Sequence, residues 1–425
     1  MKKLIIISLV LILTIFLSCQ QSKSTSEAGQ AVLSGKVSLP EIDISGTPDG
    51  IVPLPDNVPA IYKDVFVKYT KIIAPNGKPI HLLAQDGWSN YQIKKARNVL
   101  QYLLTSMPGS IYGSDKTAVA NSMADRKAAM VLFNTEEDMR QAMSGPLGEK
   151  AELNMQDLRA NECPAEGTED YMNHITRDAS FEEIWHLVHD NGVKQVLPEM
   201  IAEMRIANDA AAKKGWRAWP EDQPQEHPNE YMGVLLDNYF DLWAVKPKKY
   251  EGRDIAPGAI PDGTSHFGRY FANSRAKMKK LDPHGYALIE KFFVPYLTFN
   301  PELPENFKGT FSLEFDPSLI YTYKSQHLVN VTLTGNQDAN LIGNAYDNIL
   351  TGNNGSNWLK GGAGDDRLDG GKGEDTAVYS GPQADYIISK NKGIITIMDK
   401  KANRDGIDTL LNMEIIKFSD SQLKL

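Results

Sequence analysis

Cysteine is almost missing from this chain. Its 425 residues include two. Cys19 closes an N-terminal apolar run, so Cys163 stands alone in the remainder and no internal disulfide can form there. Cys163 is followed by Pro164 and has no basic neighbour in sequence to favour a thiolate, so it reads as a passive thiol. Long apolar runs are also scarce. Beyond residues 4–17 no stretch could span a bilayer, which argues against a pore former. Basic excess is absent: 45 Lys and Arg stand against 54 Asp and Glu, a formal charge of −9, so nucleic acid is not an expected partner. There is no Walker phosphate loop.

What is present gathers near the carboxyl end. Residues 361–377 read GGAGDDRLDGGKGEDTA, two copies of Gly-Gly-x-Gly-x-Asp-x-U-x (U apolar) nine residues apart. That period marks parallel β-rolls that bind Ca²⁺. Gly361, Gly362 and Gly364, then Gly370, Gly371 and Gly373, allow the tight turns and positive φ that bring backbone carbonyls onto an ion. Asp366 and Asp375 add hard carboxylate oxygens. Weaker copies keep the step upstream, at 335–342, 343–351 and 352–360, with Asn340, Asn348 and Asn357 in the acidic position. Ile342, Leu350, Leu359, Leu368 and Ala377 take the inward apolar slot. With two repeats per coil, each repeat lies over the next but one. Asp366 then shares an ion with the Asn348 turn, and Asp375 with the Asn357 turn, for roughly two ions held more weakly than in an all-Asp roll. A Gly/Asn-rich linker is the alternative, but it leaves the recurring apolar slot without a cause. The glycines at 361–364 are explained better by calcium than by a dinucleotide.

This block resembles the RTX, or haemolysin-type, calcium-binding repeats. The segments that follow, Asp375-Thr-Ala-Val-Tyr-Ser-Gly, Ala384-Asp-Tyr and Asp405-Gly-Ile-Asp-Thr-Leu-Leu-Asn-Met-Glu414, resemble the C-terminal part of serralysin-type proteins. The resemblance covers about the last 90 residues and implies short strands near 386–388, 394–398 and 415–418 that cap the roll.

At the other end, Lys2-Lys3 precedes the apolar run and Ser18-Cys19 closes it, the plan of a targeting segment. The ending FLSC resembles a bacterial lipoprotein signal, which implies lipid on Cys19, a membrane contact through that lipid alone, and an outer-membrane or secreted location. Residues 20–58, poor in aromatics and rich in Ser, Gly and Pro, read as a flexible tether.

Between these ends, 41% hydrophobic residues suffice for a packed core. Val65–Ile73 and Ile80–Ala84 flank an Asn-Gly hairpin turn. Ser89 caps a helix to about Met107, and 128–133 reads as a buried strand. Helices are expected over 180–190 (ended by Asn191-Gly192), 198–214, 230–243, 274–281 and 283–293. The order is α+β.

One stretch there carries candidate chemistry, Ser180-Phe-Glu-Glu-Ile-Trp-His-Leu-Val-His-Asp-Asn-Gly192. On a helix Glu182, His186 and His189 share one face, and a carboxylate with two imidazoles can hold Zn²⁺. A zinc hydrolase helix reads His-Glu-x-x-His. Aligned to it, Glu182 takes the first ligand slot, Glu183 the general-base slot and His186 the second ligand slot, while Glu230 is the candidate third ligand. In this layout residues 165–295 resemble the lethal-factor-like zincins, metallopeptidases of the gluzincin type. The resemblance implies a zincin-like α+β domain over 59–330, followed by an all-β parallel β-roll over 331–425, and a protein or peptide substrate. Two departures stand out. The first histidine is Glu182, and the tyrosine expected before the third ligand is missing, with His227 the candidate oxyanion group. The plainer reading makes Ser180 and Glu183 a capping box and the histidines ordinary half-buried residues, in a non-catalytic surface protein or adhesin.

Overall fold

The computed structural model describes residues 35–219, 224–391 and 394–425. The leader 1–19 with Cys19, and the expected tether up to residue 34, lie outside the described residues.

The first half is built on a five-stranded sheet. Its order is Val52–Pro53, Lys68–Ile73, Pro79–Ala84, Ala128–Phe133 and Asn154–Arg159. The first three strands are antiparallel and the last three parallel. The hairpin expected at Asn76-Gly77 forms, with Gly77 at φ +81 and Ala74 N donating to Lys78 O at 2.9 Å. Every residue of Ala128–Phe133 is buried, which is why that strand is an unbroken apolar run rather than an alternating one. Helix Asn90–Leu103 starts from a complete Ser89/Gln92 capping box and buries Ile93, Ala96, Val99, Leu100 and Leu103, the face its period predicts.

The tether ends earlier than its composition suggests. From Lys36 on the chain is packed. Ile42, Val52 and Val58 are buried with Tyr62 and Phe66 in a second core on the far side of the sheet, while Ile51 is buried in the main core, and Tyr62 Oη donates to Val37 O at 2.6 Å. Isolated apolar residues between prolines and glycines are enough to dock such a segment on an existing sheet, although its average composition is that of a linker.

The helical half follows as Ser180–Val188, Pro198–Lys213, His227–Tyr239, Arg275–Leu281 and Pro283–Glu290. Gly192 does not stop the first of these. The helix widens into a π turn, His189–Val193, and runs on through Lys194–Val196. A Cβ on Gly192 would lie 2.6 Å from Val119 Cγ1, so this glycine serves close packing against helix Thr117–Asp125.

The chain ends in two facing six-stranded sheets, mixed α/β giving way to all-β. One sheet runs Gly309–Ser312, Ala339–Ile342, Trp358–Lys360, Thr376–Val378, Ile415–Lys417, Gln422–Lys424. The other runs Asn330–Thr332, Ile349–Thr351, Arg367–Asp369, Ile407–Leu411, Ile394–Asp399, Tyr386–Asn391. Each repeat strand pairs in parallel with the next but one: Leu341 with Leu359, Leu350 with Leu368, Leu359 with Ala377. These five side chains are completely buried between the sheets. The first weak repeat is one residue out of the expected register. Leu341, not Ile342, points inward, and buried Ala339 rather than Asn340 holds the acidic position. In a strand a slip of one residue exchanges the two faces. The stacking also begins sooner than residue 331, with a first coil that carries strands Gly309–Ser312 and Asn330–Thr332. At the far end, strands Tyr386–Asn391, Ile394–Asp399 and Gln422–Lys424 join antiparallel and close the exposed edges.

Candidate functional site

The turns of the roll follow from glycine. Gly362, Gly364, Gly371 and Gly373 have φ of +101, +118, +90 and +126, which residues with a Cβ rarely adopt. A Cβ on Gly343 or Gly352 would strike the carbonyl of Gly361 or Gly370 in the neighbouring coil. The turns therefore stack at backbone distance, and the acidic position is carried with them. Asp366 Oδ1 accepts from Asn348 N and Asp375 Oδ1 from Asn357 N, both at 2.7 Å. The Asp366 turn thus lies against the Asn348 turn and the Asp375 turn against the Asn357 turn, as two repeats per coil require.

The two kinds of turn differ in what they leave over. Asn348 Oδ1 accepts from Asn344 N at 2.7 Å, and Asn357 Oδ1 from Asn353 N at 2.9 Å. Their amide nitrogens donate to Val329 O and Ala339 O. The Asn turns are self-satisfied. In the Asp turns, by contrast, Asp366 Oδ2 and Asp375 Oδ2 are buried without a hydrogen-bond partner. Burial pushes Asp366 up to about 7 and Asp375 up to about 6, in each case against the backbone amide that favours the carboxylate. A buried anionic oxygen without a donor, in a turn too tight for a Cβ, is the donor chemistry a hard dication needs.

Two further carboxylates belong to this ladder. Asp408 Oδ1 accepts from Asp366 N at 3.0 Å and Glu414 Oε2 from Asp375 N at 2.8 Å. Gly406, at φ +59, is stacked on the Gly364 carbonyl as Gly364 is on that of Tyr346. Burial, with Asp366 beside it, pushes Asp408 up to about 8. The hairpin Tyr386–Asn391/Ile394–Asp399 interrupts the nine-residue step between these coils. The signal that remained was the Asp405-Gly-Ile-Asp408 spacing.

A second polar centre lies under the first sheet, on the wholly buried helix Ser180–Val188. The capping box is not made. Ser180 N and Oγ both donate to Asp178 Oδ1, at 3.2 and 2.6 Å, and Asp178 is paired with buried Lys95. Glu183 is therefore turned inward, where its Oε2 accepts from Gln156 Nε2 of the edge strand at 2.9 Å. Arg177 and Arg159 flank its other oxygen at 3.7 and 4.0 Å.

Glu182, His186 and Glu230 converge, with donor atoms all within 4.8 Å of one another; His186 Nε2 is 3.8 Å from Glu230 Oε1. Gly233 permits this. A Cβ there would sit 3.0 Å from Glu182 Cγ, so the two helices cross at a notch. His189 is not part of the group. It begins the π turn, its Nδ1 pairs with Asp190 at 2.8 Å, and its ring packs on Trp185; the wider turn rotates it off the shared face. His227 opens helix His227–Tyr239, its carbonyl accepting from Trp219 Nε1 at 3.4 Å, and is not among the converging donors.

Charge is balanced internally. Arg177, which sequence reading passed over, donates to Glu182 Oε2 and to Glu162 Oε1, each at 3.1 Å. Burial alone would raise Glu182, but Arg177 and then His266 hold it below its ordinary value. Burial would likewise lower His186, yet Glu230, Glu183 and Glu182 keep it protonated, at about 9. Glu183 itself is pushed up to about 8, chiefly by burial.

The stacked turns define the class of the C-terminal region, a parallel β-roll with calcium-binding chemistry. Residues 342–377 match the RTX calcium-binding nonapeptide repeat family in four copies. Among solved structures the chain is similar to the extracellular lipase LipA from Serratia marcescens, at 19% identity with a TM-score of 0.12, over 19% of this chain and 14% of that one. No curated protein matches the chain.

Proposed function

We propose that this is an exported calcium-binding protein whose RTX roll assembles on the ion outside the cytoplasm. The buried, unpartnered Oδ2 atoms of Asp366 and Asp375 carry the reading. With the facing Asn348 and Asn357 turns and the glycine turns around them, they would hold Ca²⁺, and the ion would supply a positive charge, since neither Asp has an ion pair among the described residues. The matched repeat is typical of secreted proteins, and the leader 1–19, with Cys19 as a lipid attachment point, agrees with export. Calcium titration of the full chain by calorimetry and circular dichroism tests this. Binding that Asp366→Asn with Asp375→Asn removes is expected; identical spectra in chelator and in millimolar-order calcium would overturn it.

For residues 59–330 we propose a zincin-like metal site in which Glu182, His186 and Glu230 hold Zn²⁺ and Glu183 is the general base of a peptidase acting on proteins or peptides. The ion when bound polarises a carbonyl and acidifies a water. Support comes from the convergence of the three donors, with Glu183 next to them. A second reading, a non-catalytic surface protein, has its own support: Arg177 already neutralises Glu182 and flanks Glu183. Zinc analysis of the full chain and cleavage of a general protein substrate separate the two. Bound zinc, with cleavage lost in Glu183→Gln, supports the peptidase. Zinc-free protein leaves the binding reading.

A further inference from the structure

We propose a second divalent-metal position beside the first, held by Glu182, Asp237 and His266, with Glu182 as the carboxylate common to both. It extends the reading of the Glu182–His186–Glu230 cluster, but its other two ligands are separate and separately testable.

The helix His227–Tyr239 explains why one carboxylate can face two positions. Glu230, Gly233 and Asp237 follow at spacings of three and four and share a face. Gly233, without a side chain, is where Glu182 crosses, at 3.0 Å from a virtual Cβ. Glu230 flanks that notch on one side and Asp237 on the other. The donor atoms of Glu182, Asp237 and His266 lie within 4.8 Å of one another, and all three residues are buried.

His266 arrives from outside these helices, and its presentation is specific. It and Phe267 both adopt positive φ, +49 and +56, conformations that non-glycine residues hold only when surrounding contacts impose them. Trp243 packs on the imidazole at 4.6 Å between ring centres, the rings tilted by 35°. Asn238 donates to Val234 O and to Ser265 Oγ, at 2.7 and 3.0 Å, and Ser265 Oγ meets His266 Nδ1 at 3.1 Å. This chain fixes one ring nitrogen and aims the other, as outer partners do for metal-binding histidines. Nε2 then points into the cluster, 3.3 Å from Asp237 Oδ2 and 3.8 Å from Glu182 Oε2.

Two observations show that hydrogen bonding does not complete this group. His266 Nε2 and Asp237 Oδ1 are both buried without a hydrogen-bond partner. The spacing also suits a metal: tetrahedral zinc with bonds of about 2.1 Å separates its ligand atoms by about 3.4 Å. The His266–Asp237 edge already has that length, and the Glu182 edge is a few tenths of an ångström wider. Trp243 Nε1 donates to Asp237 Oδ2 at 3.2 Å, and Arg177 Nη1 to the same Glu182 oxygen at 3.1 Å, so both carboxylates are oriented from behind. Two carboxylates and one imidazole select a divalent transition ion, zinc or manganese, over calcium.

The test is elemental analysis of the full chain, stripped of metal, re-equilibrated with Zn²⁺ while Ca²⁺ keeps the roll folded, then desalted. His266→Gln and the isosteric Asp237→Asn are each expected to hold one zinc fewer per chain than the parent, and Glu182→Gln to lose both. Either variant suffices if the other fails to fold, as judged by circular dichroism. Visible absorption of the Co²⁺-loaded chain should fall to roughly half in His266→Gln. Parent-like zinc in both His266→Gln and Asp237→Asn overturns this position, whatever His186→Gln does. Metal lost in those two but kept in His186→Gln sustains it while removing the His186 position. A zinc-free parent overturns both.

Discussion

The roll should be least stable without calcium at alkaline pH, the reverse of ordinary acid denaturation. Asp366 has a folded-state pKa of about 7 against an ordinary 3.8, because burial opposes its charge. Between those two values the folded state binds more protons than the unfolded chain, so stability falls as pH rises through that window and is flat above it. Three pKa units at 1.36 kcal/mol each place the cost for Asp366 on the order of 4 kcal/mol above pH 8. Asp375, at about 6, and Asp408, at about 8, add in the same direction. Calcium at a hundredfold excess over its dissociation constant returns about 2.7 kcal/mol per ion, so two ions roughly offset the Asp366 cost. Thermal melts of the metal-free full chain between pH 5 and pH 8, followed by circular dichroism, should show the roll transition falling with pH, on the order of 10 °C from Asp366 alone. Added calcium should raise it most at pH 8 and least at pH 5, since protons and calcium compete for the same oxygens. Asp366→Asn should flatten the pH dependence and weaken the calcium response together. A metal-free roll that gains stability toward pH 8, or calcium protection that ignores pH, would refute the argument.

Three other outcomes follow from packing. Gly343→Ala forces a Cβ onto the Gly361 carbonyl of the next coil; calcium affinity should fall at least tenfold by calorimetry, while the helical half melts as before. Removing residues 36–58 should cost several kcal/mol in denaturant unfolding, since Ile42, Ile51, Val52 and Val58 are each buried and a buried aliphatic contributes about 1.5–3 kcal/mol; a true tether would cost nothing. Lys95→Met strands Asp178, fully buried opposite Lys95, and should destabilise the chain by about 3–5 kcal/mol in the same assay.

The roll was legible because its repeat is written in residue types that leave little choice. A glycine whose Cβ would hit the neighbouring coil, an acidic residue five places later and an apolar residue two places after that impose period, register and pairing at once. Legibility failed where one of the three was missing. With Thr334 in the glycine slot and Ala339 in the acidic one, the first repeat was placed one residue late, and with an inserted hairpin the Asp408 and Glu414 turns read only as a cap. Residues 36–58 were misjudged for a different reason: docking on a finished sheet needs a few spaced side chains, which an average over the segment conceals.

The buried cluster was legible only along the helix. Spacings of three and four predicted that Glu182 and His186 share a face, and the partner helix brought Glu230 to them. His189 satisfied the same rule and still left, because a π turn breaks the period at that residue. Asp237 shares a face with Glu230 and Gly233 on its own helix, but no spacing in sequence ties it, Arg177 or His266 to Glu182. Asp237 meets Glu182 because Gly233 lets two helices cross at contact distance and His266 because Trp243 holds it in a strained backbone, while Arg177 reaches it from the loop just before the helix. Gly233→Ala follows from this. A methyl group 3.0 Å from Glu182 Cγ must push the helices apart at the point where both triads share a ligand. Zinc content should therefore fall with every named ligand intact, and unchanged content would mean that the crossing does not set the geometry.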